Sequence, residues 1–127
     1  MLKHMTVLVA YHSEVWMKVA VNSFRAFFPD QFDQPLLIVN NNRKPCAETE
    51  WLLSRSDLLV IPGKGSFSHG DGMDAGLQWC RENGFEVMVH IEPDCLVSGT
   101  QWFLNLLQAI ENGAWMAGGH RKDYGPI

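Results

Sequence analysis

Residues 86–97, EVMVHIEPDCLV, decide the fold class of this chain. The apolar run VMVHI at 87–91 is typical of a buried β-strand, and it stops abruptly at the acidic tripeptide Glu92-Pro93-Asp94. Alternate residues of a strand point to the same side, so Glu92 and Asp94 are expected to act together if the strand geometry persists that far. A buried strand that ends in acid predicts an α/β protein with a ligand site at one edge of its sheet.

Further apolar runs of the same kind occur along the chain and alternate with helical patterns. The predicted strands are 6–10, 36–39, 58–61, 87–91 and 114–119, and the predicted helices lie between 14 and 28, 47 and 55, 71 and 80, and 102 and 110. This alternation predicts a three-layer α/β/α sandwich with a mostly parallel sheet and helices on both faces.

Two of the predicted helices have an expected inner face. In the first helix, Ser13 is expected to cap the N-terminus. The residues predicted to face the core there are Val15, Val19, Phe24, Phe27 and Phe28. In the helix at 71–80, the residues predicted to pack are Ala75, Leu77 and Trp79.

Size and composition limit the classes of protein to which the chain can belong. With 127 residues, 46% hydrophobic and 19% charged, it is expected to form one soluble α/β domain over residues 1–127, with a loose tail at 120–127. The net charge of −4 and the lack of a basic stripe argue against nucleic acid as a partner.

Cysteine usage and hydropathy address the location of the protein. Cys46, Cys80 and Cys95 are widely spaced and odd in number, which indicates neither a disulfide framework nor a Cys-x-x-Cys metal site. No apolar run reaches the length of about 18 residues that a membrane-spanning helix needs. The N-terminus also lacks the pattern of a signal peptide. The sequence therefore predicts a cytoplasmic protein without a transmembrane segment.

Polar segments follow each of the first four predicted strands. Because the carboxyl ends of parallel strands meet at one edge of a sheet, these segments are expected to share one rim, where ligands bind. They are Tyr11-His12-Ser13-Glu14, Asn40-Asn41-Asn42-Arg43, Gly63-Lys64-Gly65 and Glu92-Pro93-Asp94. Two plainer interpretations stay open: the acidic pair is a solvated loop before the next helix, and the asparagines form a turn.

The histidines are dispersed in the sequence and carry less information. His90 lies inside a predicted strand and is interpreted as a packed or surface ring rather than as a ligand. His69 and His120 are the histidines expected near a rim, although such residues are more often without function than functional.

The order and spacing of these features resemble the nucleotide-binding half of family-two-like inverting glycosyltransferases of the glycosyltransferase-A fold. The polar turn at 11–14 stands where the family often has an Asn-Glu pair, and residues 68–77 (SHGDGMDAGL) look like its helix start rich in small residues. Glu92-Pro93-Asp94 stands where the family has Asp-x-Asp. The resemblance covers residues 6–119, and it rests on order and spacing because no single motif is highly specific.

The resemblance implies roles for particular residues. Asp94 would hold a divalent cation, Mg²⁺ or Mn²⁺, that bridges the diphosphate of the donor, and Glu92 would lie toward the ribose or the waters of the metal. The residues expected at the donor nucleotide are Tyr11, His12, Glu14, Asn40, Asn42, Asp74 and Glu92. A hard cation on oxygen ligands suits this chemistry, because it neutralises the charge of the leaving diphosphate.

The sequence departs from the family pattern at three of these positions. Glu92 replaces the first Asp, an asparagine replaces the acid after the second strand, and Asp74 stands where a neutral or basic residue is usual. The family also continues into an acceptor-binding half that carries the general base, so the present chain is expected to be a truncated form with no assigned catalytic residue.

Three hypotheses follow. The leading one is a glycosyltransferase-like domain that binds a UDP- or GDP-linked sugar through a divalent cation and transfers the sugar to an unknown acceptor. The alternative is a non-catalytic nucleotide-sugar-binding or assembly module. A third is a flavodoxin-like domain, which would place the first strand beside the third, whereas the glycosyltransferase-A fold places the second strand between them. A homodimer that covers an edge strand is also expected.

Overall fold

The sheet of this protein contains four parallel strands in the residues that the structure describes. A computed structural model describes residues 2–64 and 68–118. The strands are β1 (His4–Ala10), β2 (Leu36–Asn40), β3 (Leu58–Pro62) and β4 (Val87–His90), in the order β3-β2-β1-β4. The second strand lies between the first and the third, as the glycosyltransferase-A hypothesis predicts and the flavodoxin-like hypothesis does not. The α/β class and the parallel sheet are therefore confirmed.

Four helices accompany these strands in the described ranges, and the chain divides into two units. Residues 3–98 form a unit with the sheet and with α1 (Glu14–Phe27), α2 (Ala47–Ser54) and α3 (His69–Glu82). The second unit includes residue 2 and residues 99–118, and its helix is α4 (Gln101–Glu111). Within it, the indole N–H of Trp102 donates a hydrogen bond of 2.6 Å to the carbonyl of Gly99.

The handedness of the strand connections assigns the helices of the larger unit to two faces. The connections β1-α1-β2 and β2-α2-β3 step in one direction across the sheet, and β3-α3-β4 returns in the other. Since parallel crossovers are right-handed, α1 and α2 belong on one face and α3 on the other. All seven residues of β1 are buried, as expected for a central strand covered on both faces.

Glycines allow α3 to approach the sheet closely. A β-carbon at Gly72 would lie 2.6 Å from Cγ1 of Val9, and one at Gly76 would lie 2.8 Å from Cγ1 of Val7. The buried positions of α3 are Gly72, Gly76 and Cys80, while Ala75 and Trp79 pack at the margin of the core, as predicted. Leu77 is 43% exposed, so its predicted packing role is wrong.

The predicted inner face of α1 is largely wrong. The buried residues of this helix are Met17, Ala20, Val21 and Phe24, which follow helical spacing. Val15 and Val19 each lie two residues from Met17, about 200° around the helix, and they are 70% and 41% exposed. Phe27 is 45% exposed, whereas Phe24 and Phe28 are buried as predicted.

Two further predictions are corrected. The side chain of Ser13 makes no capping hydrogen bond to α1, because its hydroxyl bonds to Glu48 instead. The predicted fifth strand is absent from residues 114–118, where Trp115 is 100% and Met116 88% exposed, so this apolar run is not buried as a strand would be. Its last residue, Gly119, and the predicted tail at 120–127 lie outside the described residues.

Candidate functional site

A cavity of about 290 Å³ lies at the carboxyl ends of β1 and β4. The chain runs from β1 outward through β2 and β3 and then returns to the other side of β1, so the gap between β1 and β4 is the point where the strand order reverses. Ligands of open α/β sheets bind at such points. The lining residues are Val9, Tyr11, Ser13, Trp16, Asn41, His69, Glu92, Pro93 and Asp94.

The structure brings some of the predicted site residues together and separates others. Tyr11, Glu92 and Asp94 line the cavity. His12 and Glu14 line a neighbouring depression beside the start of α2, and the carboxylate of Glu14 is paired with Lys18 at 2.8 Å. Asp74 lies on the exposed side of α3, in a separate surface depression with Lys64 and Arg81.

Asn40 and Asn42 use their side-chain amides within the loop that follows β2. Oδ1 of Asn40 accepts from the backbone N–H and the side-chain amide of Asn42, at 3.2 and 2.9 Å. The side-chain amide of Asn40 donates to the hydroxyl of Thr49 at 3.3 Å. Oδ1 of Asn42 in turn accepts from the backbone N–H of His12 at 2.9 Å. The two asparagines therefore tie together the loops that follow β1 and β2.

A buried carboxylate, Glu48, completes this arrangement. It lies in the first turn of α2 with 2% exposure, and no role was predicted for it from the sequence. Its oxygens accept from the hydroxyl of Ser13 at 2.7 Å, from the backbone N–H of Ser13 at 3.3 Å and from the amide of Asn42 at 2.8 Å. The helix N-terminus also favours a negative charge at this position. We call Glu48, Ser13, Asn40 and Asn42 the Glu48 network.

His12 has the one left-handed backbone conformation recorded for a non-glycine residue in the described part of the chain, with φ of 49°. Such a conformation is uncommon outside glycine, asparagine, aspartate and histidine. The hydrogen bond from its backbone N–H to Asn42 belongs to the same set of contacts as the Glu48 network. The turn at the entrance to α1 is thus fixed by the loop after β2.

Asn41 connects this network to the wall of the cavity. It is 2% exposed, its backbone N–H donates to the carbonyl of Ala10 at 2.8 Å, and its side-chain amide donates to the carbonyl of Ser68 at 3.2 Å. Its Oδ1 has no hydrogen-bond partner among the described residues. Gly63 leaves room for that oxygen because it has no side chain, and a β-carbon at this position would overlap the oxygen.

On the β4 side of the cavity, two imidazoles converge on one carboxylate. Nε2 of His90 lies 3.1 Å and Nε2 of His69 lies 3.3 Å from Oε1 of Glu92. The centroids of the two imidazole rings are 5.3 Å apart. We call His69, His90 and Glu92 the histidine cluster. The sequence interpretation of His90 as a ring without a ligand role did not anticipate it, although His90 and Glu92 have the i, i+2 spacing that was applied to Glu92 and Asp94.

The acidic residues of this loop act on the neighbouring thiol. The pKa of Cys95 is raised by partial burial and by the negative charges of Asp94 and Glu92. A raised pKa keeps the thiol protonated at neutral pH, which disfavours both nucleophilic attack and metal ligation by sulfur. Burial alone raises the pKa of Cys80, in α3, to about 11.

The donor atoms around the cavity fit a divalent cation. Glu92 and Asp94 supply carboxylate oxygens to the lining, and His69 supplies an imidazole nitrogen. Oxygen donors alone suit Mg²⁺ and Mn²⁺, whereas imidazole extends the preference toward later transition metals.

No protein-family model and no curated protein matches the sequence. Among solved structures, the chain is similar to the crystal structure of TarS 1–349 from S. aureus, a glycosyltransferase, with a TM-score of 0.63 and 12% sequence identity. The match covers 98% of this chain and 40% of the TarS chain. At this identity the likeness shows the fold, which is glycosyltransferase-like. No helix in the described ranges is long and apolar enough to cross a membrane.

Proposed function

We propose that this chain is a glycosyltransferase-like domain that binds a nucleotide-diphosphate sugar in the cavity between the ends of β1 and β4. The observation that carries the proposal is the position of the cavity: it lies at the reversal of strand order in a glycosyltransferase-like fold and is lined by aromatic and acidic side chains. Its volume of about 290 Å³ would enclose only part of a nucleotide-sugar, which would extend along the rim.

The base and the diphosphate of such a donor have chemical counterparts in the lining. Trp16 is 59% exposed, and Tyr11 lines the same cavity, so both can offer ring surface to a base. Asp94 and Glu92 would hold Mg²⁺ or Mn²⁺ against the diphosphate. His12, Glu14, Asn40 and Asn42 would lie toward the nucleotide from the rim beside the cavity. Asp74 is the exception, because its depression on α3 is a separate one.

Isothermal titration calorimetry of UDP- and GDP-linked sugars, with Mn²⁺ or with EDTA, tests the proposal. We expect metal-dependent binding that Asp94→Asn weakens at least 10-fold. Asp33→Asn, the same change at an exposed position outside the lining, is the matched control and should bind as the unmodified chain does. Asp74→Asn tests the outlying residue. Absence of binding to every donor in both conditions would overturn the proposal.

Turnover is a separate question from binding. If the domain transfers sugar, it should also hydrolyse its donor slowly in the absence of an acceptor, and Asp94→Asn should abolish that hydrolysis. Donor binding without any hydrolysis would instead support the non-catalytic binding module.

The homodimer and the cytoplasmic location remain predictions. Light scattering tests the homodimer.

A further inference from the structure

We propose that the histidine cluster is a binding site for a transition-metal ion of the Zn²⁺ class, with His69, His90 and Glu92 as its three protein ligands. These residues come from three consecutive parts of the fold: His69 begins α3, His90 ends β4, and Glu92 follows in the next loop. One ligand atom from each lies within 4.8 Å of the other two.

The spacing within the cluster fits such an ion. Zn²⁺ binds imidazole nitrogen and carboxylate oxygen at about 2.0–2.2 Å, so two ligands of a tetrahedral site are about 3.3–3.5 Å apart. The distances from Oε1 of Glu92 to Nε2 of His90 and of His69 are 3.1 and 3.3 Å. The three ligand atoms lie within 4.8 Å of one another, so small shifts bring them to this spacing, and His69 has the exposure, 46%, to allow a change of rotamer.

Burial determines which nitrogen of His90 is available. Its side chain is 18% exposed, and its Nδ1 is buried without a hydrogen-bond partner among the described residues. Nε2, the nitrogen that faces Glu92, is therefore the one that an ion can reach. The ring is held by the strand, and a fixed ligand loses little conformational entropy when the ion binds.

The other two ligands leave the ion accessible. Glu92 is 52% and His69 46% exposed, and both line the cavity. With three protein ligands and one side toward the cavity, the ion would keep a coordination position for water or for an oxygen of a bound molecule. A closed structural site would instead supply four protein ligands.

The donor set also predicts which ions bind. Two imidazoles and one carboxylate favour Zn²⁺, Ni²⁺ and Co²⁺ over Mn²⁺, and they disfavour Mg²⁺, which requires oxygen ligands. This order differs from that expected for an ion held by Glu92, Asp94 and a diphosphate. The site does not depend on the proposed donor binding, because it needs no nucleotide.

Titration of the untagged chain with ZnCl₂ and, separately, with MgCl₂, after removal of metals and in the absence of nucleotide, tests the site. We expect one Zn²⁺ per chain, no measurable binding of Mg²⁺, and at least 10-fold weaker Zn²⁺ binding in His69→Ala and in Glu92→Gln. Circular dichroism and Tm should be unchanged in both variants, because both side chains are about half exposed.

Two controls match these variants. His12→Asn removes an exposed histidine from the same rim, and asparagine tolerates the left-handed backbone there, so Zn²⁺ binding should persist. Cys95→Ser removes the nearest thiol in sequence and should also preserve binding. The absorption spectrum of bound Co²⁺ provides a second readout, since nitrogen and oxygen ligands give no thiolate charge-transfer band in the near ultraviolet.

The possible results distinguish failure of the metal site from failure of the proposed function. Unchanged Zn²⁺ affinity in His69→Ala, or loss of affinity in Cys95→Ser with a thiolate band, would overturn the metal site. Neither result would decide the proposed donor binding, because that binding is measured separately, with nucleotide present and through Asp94→Asn. Zn²⁺ binding without any donor binding would support the metal site and count against the proposed function.

Discussion

Glu48 and Glu92 lie at the same edge of the sheet in opposite surroundings. Glu48 is 2% exposed and accepts three hydrogen bonds from the loops after β1 and β2. The side chain of Glu92 is 52% exposed, and one of its oxygens faces two imidazoles at the wall of a cavity. A buried carboxylate with fixed donors, such as Glu48, holds the backbone in place. An exposed carboxylate beside two imidazoles, such as Glu92, is available to bind a ligand or an ion. The difference separates a structural residue from a candidate binding residue.

The largest effect is expected from Glu48→Ala. The substitution leaves the hydroxyl of Ser13 and the amide of Asn42 without their buried acceptor, and we expect the free energy of unfolding to fall by about 2–4 kcal/mol. Urea denaturation measures the loss. Glu50→Ala is the matched control, because Glu50 lies in the same first turn but is exposed. Equal losses in the two variants would show that the Glu48 network stabilises nothing beyond the helix terminus.

An intermediate effect is expected from Gly63→Ala, which acts between the two regions. The new methyl group would overlap Oδ1 of Asn41 and force that side chain to move, at a cost of about 1–3 kcal/mol. Because Asn41 lines the cavity, ligand affinity should fall together with stability. Gly99→Ala, at a position with no heavy atom within 4 Å, serves as the control in the same thermal unfolding measurement. A neutral Gly63→Ala would mean that Asn41 adjusts freely.

The smallest effect on stability is expected from Glu92→Gln. Its carboxylate is about half exposed, so the free energy of unfolding should change by less than about 0.5 kcal/mol, whereas the proposed Zn²⁺ binding should weaken at least 10-fold. Glu86→Gln, an exposed glutamate just before β4, is the control in chemical denaturation. A loss comparable to that of Glu48→Ala would remove the distinction between the two carboxylates.

The strands could be predicted because each is a short apolar run bounded by polar residues or by proline and glycine. The common rim then followed from the parallel arrangement, and the cavity contains Tyr11, Glu92 and Asp94 as a result. The inner face of α1 could not be predicted in the same way. Apolar residues occur around most of this helix, so Val15 and Val19 gave a false signal while Met17 and Val21 are buried.

The Glu48 network and the histidine cluster could not be predicted from the sequence, for a different reason. A glutamate in the first turn of a helix usually faces solvent, and nothing local shows that Ser13, 35 residues earlier, will bond to it. His69 and His90 meet because α3 crosses one face of the sheet before the chain enters β4. The i, i+2 spacing of His90 and Glu92 was the one local signal available, and the apolar run around His90 obscured it.

The central position of β1 has a consequence for the biosynthesis of this protein. One edge of β1 pairs with β2. The other edge pairs with β4, which is synthesised later and whose first residue, Val87, pairs with His4. These partners are roughly 80 residues apart, a separation that makes parallel pairing slow. At ribosomal rates of about 5–20 residues per second, the backbone N–H and C=O groups along this edge of β1 stay unpaired for roughly 4–16 s. During that interval it is a surface to which chaperones, or a second nascent chain, can bind.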